Sequence, residues 1–146
     1  MPMFPSRHFG PVEYQSDAVF DFPAGLSGLE QEHRFLAIEH AAGRPIVFLQ
    51  SLSRPELCLL TLPVLAVQSD YKLAVPPEAL RTLGLADDRQ PAIGTEVICL
   101  AILSVAEGRP PTANLLAPVL INTRKRVGVQ AIQEGSAHSC QRSLAT

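Results

Sequence analysis

The sequence predicts an all-β fold: a small, partly closed, barrel-like domain with one short helix. Three observations predict it. Thirteen prolines and nine glycines cut the 146 residues into short pieces, which is the punctuation of a chain made of many brief strands. The pieces themselves are apolar runs rich in β-branched and aromatic side chains. Only one stretch, about residues 77–84, carries helix signals, and no internal repeat is visible, which favours a barrel over a parallel α/β sheet. With 47% hydrophobic and 18% charged residues, the chain can bury a core and is not generally disordered. No composition shift divides it, so residues 1–146 read as a single domain.

In order along the chain, Gly10–Tyr14 and Ala18–Phe22 read as strands joined through Gln15, Ser16 and Asp17. Phe20 and Phe22 share one face there and Asp21 takes the other. The stretch from Pro23 to Gly28 is a loop whose glycines permit positive φ. Arg34–Glu39 reads as a strand partly covered on both faces. A turn over Ala41–Pro45 leads into Ile46–Gln50, a dense run suited to a central strand in which Phe48 reads as core. Ser51–Pro55 makes a hairpin-like connection into the buried strand Leu57–Leu62. Asp70–Ala74 alternates and reads as a half-exposed strand.

The helix opens at Pro76-Pro77 and stops at Gly84, the expected asymmetry of proline at the start and glycine past the end. Leu80 and Leu83 would face the sheet. Thr95–Ser104 is the longest apolar strand and is expected to be the most buried. Pro118–Asn122 and Gly128–Ile132 bring the count to about nine strands, with Arg124, Lys125 and Arg126 as a basic turn between them. Residues 135–146 are polar and read as a flexible tail.

The segment Thr112–Asn122 sets two amides and Pro118 into an apolar run. A buried amide costs roughly 1–3 kcal/mol unless it is hydrogen-bonded. Asn114 and Asn122 are therefore expected to bind backbone groups at strand ends and to fix turn geometry.

Charge and composition exclude several functions. A net charge of −2 and a pI near 6.1 argue against direct nucleic-acid binding, as does the absence of Trp. Residues 13–39 carry six acids against Arg34, a local charge of −5, whereas residues 121–146 sum to +3. An acidic face steers basic partners, although a charge run is also simply a solvated surface. No apolar run is long enough to span a bilayer, and the N-terminus lacks signal-peptide character, so a cytoplasmic protein is expected. Cys58, Cys99 and Cys140 lack CxxC spacing, which disfavours disulfides and a zinc knuckle.

Catalytic patterns are missing. Gly25-Leu26-Ser27-Gly28 misses the nucleophile-elbow spacing, and the phosphate-binding loop pattern is absent. Asp87-Asp88 reads as a solvated loop pair, and His138-Ser139-Cys140 supplies too few ligands for zinc. Cys58 and Cys99 lie in apolar strands, where a thiol acts as a small hydrophobe. No enzyme, cofactor or metal is expected.

Five pieces in order, Phe22–Glu30, Phe48–Leu52, Pro55–Leu57, Thr112–Leu115 and Ala117–Asn122, resemble the flagellar assembly factor FliW family over about residues 9 to 133. That resemblance implies a cytosolic, non-catalytic, barrel-like protein. It implies binding to the translational repressor CsrA, which lifts repression of flagellin mRNA, and binding to flagellin as a partner switch. An alternative is a flagellin-binding module or chaperone without CsrA antagonism. Candidate partner-binding residues are Glu30, Glu32, Gln50, Arg54 and Glu56; Phe48, Asn114, Pro118 and Asn122 are motif residues with structural roles. Ser53-Arg54 and Ser143 stand where the family usually has an acidic turn and a histidine. A monomer that touches neither nucleic acid nor membrane is expected.

Overall fold

The computed structural model describes residues 3–6, 10–13, 18–39, 45–133 and 138–144. Strands β1 (Met3–Ser6) and β2 (Gly10–Glu13) form an antiparallel pair of their own. The main sheet contains β3 (Val19–Asp21), β4 (Arg34–Glu39), β5 (Val47–Ser51), β6 (Cys58–Pro63), β7 (Ile98–Ser104), β8 (Thr112–Ala113), β9 (Val119–Asn122), β10 (Val127–Gln130) and β11 (Arg142–Ser143). Helices α1 (Val64–Val67) and α2 (Pro77–Thr82) lie between β6 and β7 in the chain.

Seven strands close into a ring, in the order β3-β4-β5-β6-β7-β9-β10 and back to β3. Strand β7 makes this possible because it has three neighbours. Its first half pairs with β9 (Ile98↔Ile121 to Leu100↔Val119), its middle with β6, and its end with β8. The ring shuts at one parallel pair, Val127↔Asp21, beside which the Asp21 N–H donates to the Arg126 carbonyl at 2.9 Å. There the Phe22 ring lies directly against Gly128, where any Cβ would overlap it.

The core has two clusters on opposite faces of β7 and β9. One gathers Phe20, Phe22, Leu26, Phe35, Leu49, Leu100, Val119 and Ile121, with the Phe22 and Phe35 rings edge to face at 5.4 Å, a favoured aromatic geometry. The other packs Leu80 and Leu83 of the α2 segment against Tyr71, Cys99, Ala101, Leu115 and Leu120. A strand covered on both faces reads as a continuous apolar run, as β7 and β9 do.

Several expectations change. Two short helices are present instead of one, because Val64–Val67 turns helical without a side-chain cap. Helix α2 ends at Thr82, with Leu83 as its cap and Gly84 at φ +72. The most buried strand is β9, every residue of which is inside, whereas both ends of β7 are exposed. Asp70–Ala74 is not a strand. Tyr71 is buried and its hydroxyl donates to the Leu115 carbonyl at 2.5 Å, while the amides of Ala74 and Val75 donate to the side-chain oxygens of Gln133 (2.6 Å) and Gln90 (2.7 Å). Side chains there take the place of a ladder. The expected strand at Gly10 is present over Gly10–Glu13, and Tyr14–Asp17 and most of the 41–45 turn lie outside the described residues.

In the segment expected to be a free tail, residues 138–144 meet the sheet. Strand β11 pairs with β8, and the amides of Leu115 and Leu144 donate to the carbonyls of Ser139 and Pro111, both at 2.9 Å.

Candidate functional site

Two loops hold four of the five candidate contact residues, Glu30, Glu32, Arg54 and Glu56, and the fifth, Gln50, lies in strand β5 beside them. The first, residues 22–33, owes its shape to glycine. Gly25 sits at φ +68 with its Cα against the Glu30 backbone, so a Cβ there would come within 2.7 Å of it. Gly28 sits at φ +78, and its amide donates to Glu30 Oε2 at 2.7 Å. Glu30 therefore closes its own turn while remaining exposed. The second loop, residues 51–57, folds over Gln50.

Gln50 is fully buried, and its Nε2 lies 2.9 Å from the Ser51 carbonyl and 3.0 Å from the Leu57 carbonyl. The Arg54 and Pro55 carbonyls are both at 3.3 Å. The single side-chain amide thus gathers the carbonyls of a whole turn, satisfying groups that would be costly to bury unpaired.

Glu32 joins the two loops. It is 7% exposed, and its Oε1 accepts from the Ser51 hydroxyl at 2.5 Å and the Ser53 hydroxyl at 2.7 Å. Those two hydrogen bonds, helped by the Arg54 charge, hold its carboxyl below the usual glutamate value against the opposing effect of burial. Ser51 Oγ in turn accepts from the amides of Ser53 and Arg54. Glu32 is thus removed from the acidic surface on which its charge had placed it. The acidity of residues 18–39 is reduced further by the contact of Arg34 with Asp21 at 3.6 Å. Arg54 and Glu56 are exposed and paired, with Nε 3.1 Å from Oε1. A shallow hollow of about 250 Å³ between the loops is lined by Gly28 to Glu32 and by Arg54.

The motif residues occupy a different region. Asn114 Oδ1 accepts from the amides of Leu116 (3.1 Å) and Ala117 (2.9 Å), which makes an Asx turn. Pro118 is buried after it, and its carbonyl accepts from Ala131 at 3.1 Å. Asn122 is buried and does two things. Its Nδ2 donates to the Leu83 carbonyl at 2.8 Å, and its Oδ1 accepts from the amides of Arg124 and Lys125. Lys125 adds a bond to the Gly84 carbonyl at 3.0 Å, so the basic turn closes the C-terminal end of α2. Phe48 is only half-buried, on the strand face it shares with Gln50, because the alternation of β5 sends Leu49 into the core instead.

A larger cleft of about 480 Å³ opens between the glycine loop and the far side of the sheet. Leu26, Ile102, Val129 and Ile132 supply its apolar lining, and Asn114 and Gln130 are among its polar groups. The sequence gives no local signal for it, because its walls come from five separate segments.

Among the described residues, no group of three or more His, Cys, Asp or Glu comes together in a way that could hold a metal ion. Burial pushes the Cys58 thiol up to about 11 and Cys99 to about 12, away from thiolate reactivity. The His138 ring stacks on Tyr71 at 4.3 Å. No helix among the described residues is long and apolar enough to cross a membrane.

Comparison with known proteins gives a consistent result. The FliW protein family matches residues 4–144. A flagellar assembly factor FliW of Syntrophomonas wolfei is 32% identical over 140 residues, covering 95% of this chain and 86% of that protein. One from Nitratidesulfovibrio vulgaris is 36% identical over 119 residues, covering 80% and 65% respectively. A crystal structure of the flagellar assembly factor FliW superposes with a TM-score of 0.84 at 24% identity, over 99% of this chain and 98% of the other. That last likeness bears on the fold alone.

Proposed function

Since this chain belongs to the FliW family of flagellar assembly factors, we propose that it is a non-enzymatic, cytoplasmic regulator that binds a CsrA-type translational repressor and, as the alternative occupant, flagellin. Binding the repressor would free flagellin mRNA for translation; binding flagellin would withdraw the antagonist. The protein is taken to act as a single-domain monomer and to touch neither nucleic acid nor membrane.

The observation that carries this reading is the double-loop platform. Glu32 ties the glycine loop to the 51–57 loop, and the tied loops present Glu30, Arg54 and Glu56 in exposed positions. A preorganised charged surface raises the association rate with a basic partner without the cost of ordering the loops on contact. Glu32 and Gln50 serve binding by holding the loops, and Glu30 and Glu56 by their charge.

A second reading, flagellin binding without repressor antagonism, is favoured by Arg54, which lies against Glu56 and offsets its charge. Titration of purified CsrA and flagellin, singly and in competition, separates the two. The proposal expects both to bind and each to weaken the other's binding. It also expects Glu30→Lys with Glu56→Lys to slow CsrA association at low salt. Failure of CsrA to bind while flagellin binds would leave the second reading, and failure of both would end the proposal.

A further inference from the structure

The large cleft has a wall whose backbone is unmatched among the described residues. Strand β10 is antiparallel to β9, and the pairing continues beyond it, because Ala131 N–H donates to the Pro118 carbonyl and Gln133 N–H to the Leu116 carbonyl. Along an antiparallel pair, residues alternate in which edge their N–H and C=O address. With Ala131 and Gln133 directed at the β9 side, Gln130 and Ile132 direct their backbone groups to the opposite edge. Strand β3 meets that edge only at Val127↔Asp21, after which the chain turns away into the glycine loop. Ile132 enters no hydrogen bond among the described residues, and the residue is 65% exposed. The Gln130 side chain bridges the glycine loop and the 114–118 segment, accepting from the Ser27 amide at 2.8 Å and donating to the Ala117 carbonyl at 3.0 Å.

We infer that this cleft is a strand-addition site, in which an extended segment of a partner polypeptide pairs with Gln130 and Ile132. Resting on the regulatory reading above, this gives that function a seat and a mode of recognition. An extended segment supplies the N–H and C=O groups that the edge lacks, whereas a helix has its own backbone bonds already made. Alternate side chains of the segment would meet the apolar lining, to which Leu26, Ile102, Val129 and Ile132 contribute. A basic side chain fits the other end, because Glu30 is the charged group among the described lining residues and only its Oε2 accepts a bond there. Two copies meeting at this edge would bring Glu30 but no lining cation, which disfavours self-pairing.

The test uses a blocked peptide of about six residues, a usual strand length, alternating valine and threonine around one arginine. It is added to the full chain while amide exchange is followed residue by residue. The expected result is exchange at Gln130 and Ile132 slowed roughly tenfold or more, with much weaker binding when the arginine is replaced by glutamate. Ile132→Pro, which removes the N–H, should abolish the protection. Amide exchange in the unaltered chain decides the matter if that variant folds poorly. Unchanged exchange at both amides, equal binding of the glutamate peptide, or protection that appears without peptide as the chain self-associates would each overturn the inference. CsrA and flagellin are run in parallel. If neither binds, the regulatory reading fails while the peptide arm still decides the cleft.

Discussion

The barrel has two walls built on different principles. From β4 to β6 the strands are joined by full ladders, with five registered pairs between β4 and β5 and four between β5 and β6. From β9 through β10 to β3 the ladder dwindles to one registered pair at the seam. There side chains complete what the backbone does not: the Phe22 ring covers Gly128, Gln130 spans to Ser27 and Ala117, and Gln133 reaches Ala74. The ladder wall carries its loops on buried polar side chains, whereas among the described residues the seam leaves part of an edge open. A continuous ladder tolerates changes at single side chains because its bonds are between backbones. A seam made of side chains depends on each of them, and it is also the place where another chain can enter.

The harshest way to break this contrast is Gly128→Val. The added carbons collide with the Phe22 ring at the closing point, and overpacking of this kind costs about 3 kcal/mol. A fall of that size in urea-unfolding stability is expected; a neutral result would mean that the seam does not depend on this contact. Next comes Gln50→Leu on the ladder wall, which leaves the carbonyls of the 51–57 turn without their shared donor. A loss of about 2 kcal/mol is expected, confined to faster amide exchange in that loop while the β4–β5 ladder stays protected. Asn122→Ala should cost about 1 kcal/mol and should loosen the end of α2 together with the basic turn, since one side chain serves both.

The smallest effect is pH dependence. The Glu32 carboxyl is held below the ordinary glutamate value of 4.5 in the folded chain. Its stabilisation is therefore fully present above that pH and is lost as pH falls through the lowered folded value. Glu96, paired with Arg89 at 2.7 Å and held at about 2, acts in the same direction. In an acid titration of stability, Glu32→Gln and Glu96→Gln should each flatten the decline below pH 4.5. Only Glu32→Gln should also release the 51–57 loop.

Much of the ladder wall was legible in the sequence. Phe20 and Phe22 alternate with Asp21, the apolar runs at 34–39 and 46–50 are strands, and proline and glycine mark both ends of α2. The roles of Asn114 and Asn122 were also readable, since an amide in an apolar run must find backbone partners. Other features depend on contacts between distant residues. Glu32 looks like a surface acid until Ser51 and Ser53 are brought to it. Asp70–Ala74 alternates like a strand, but the glutamines that hold it, Gln90 and Gln133, lie well downstream. Phe48 and Leu49 are equally apolar, and only the register of β5 decides which one turns inward. The cleft belongs to no single segment.

Strand β7, with its three neighbours, sets the order in which the ring can be finished during synthesis. Of the ring strands, β3 to β6 emerge from the ribosome first and can pair in sequence, but the free side of β3 must wait for β10, made near the other end of the chain. Until then the nascent sheet exposes a bare flank, a surface that chaperones commonly shield and that invites wrong partners. Only when β9 has docked on β7 can β10 be carried round to Asp21, so two strands translated late, with β11 still to follow, turn an open sheet into a closed one.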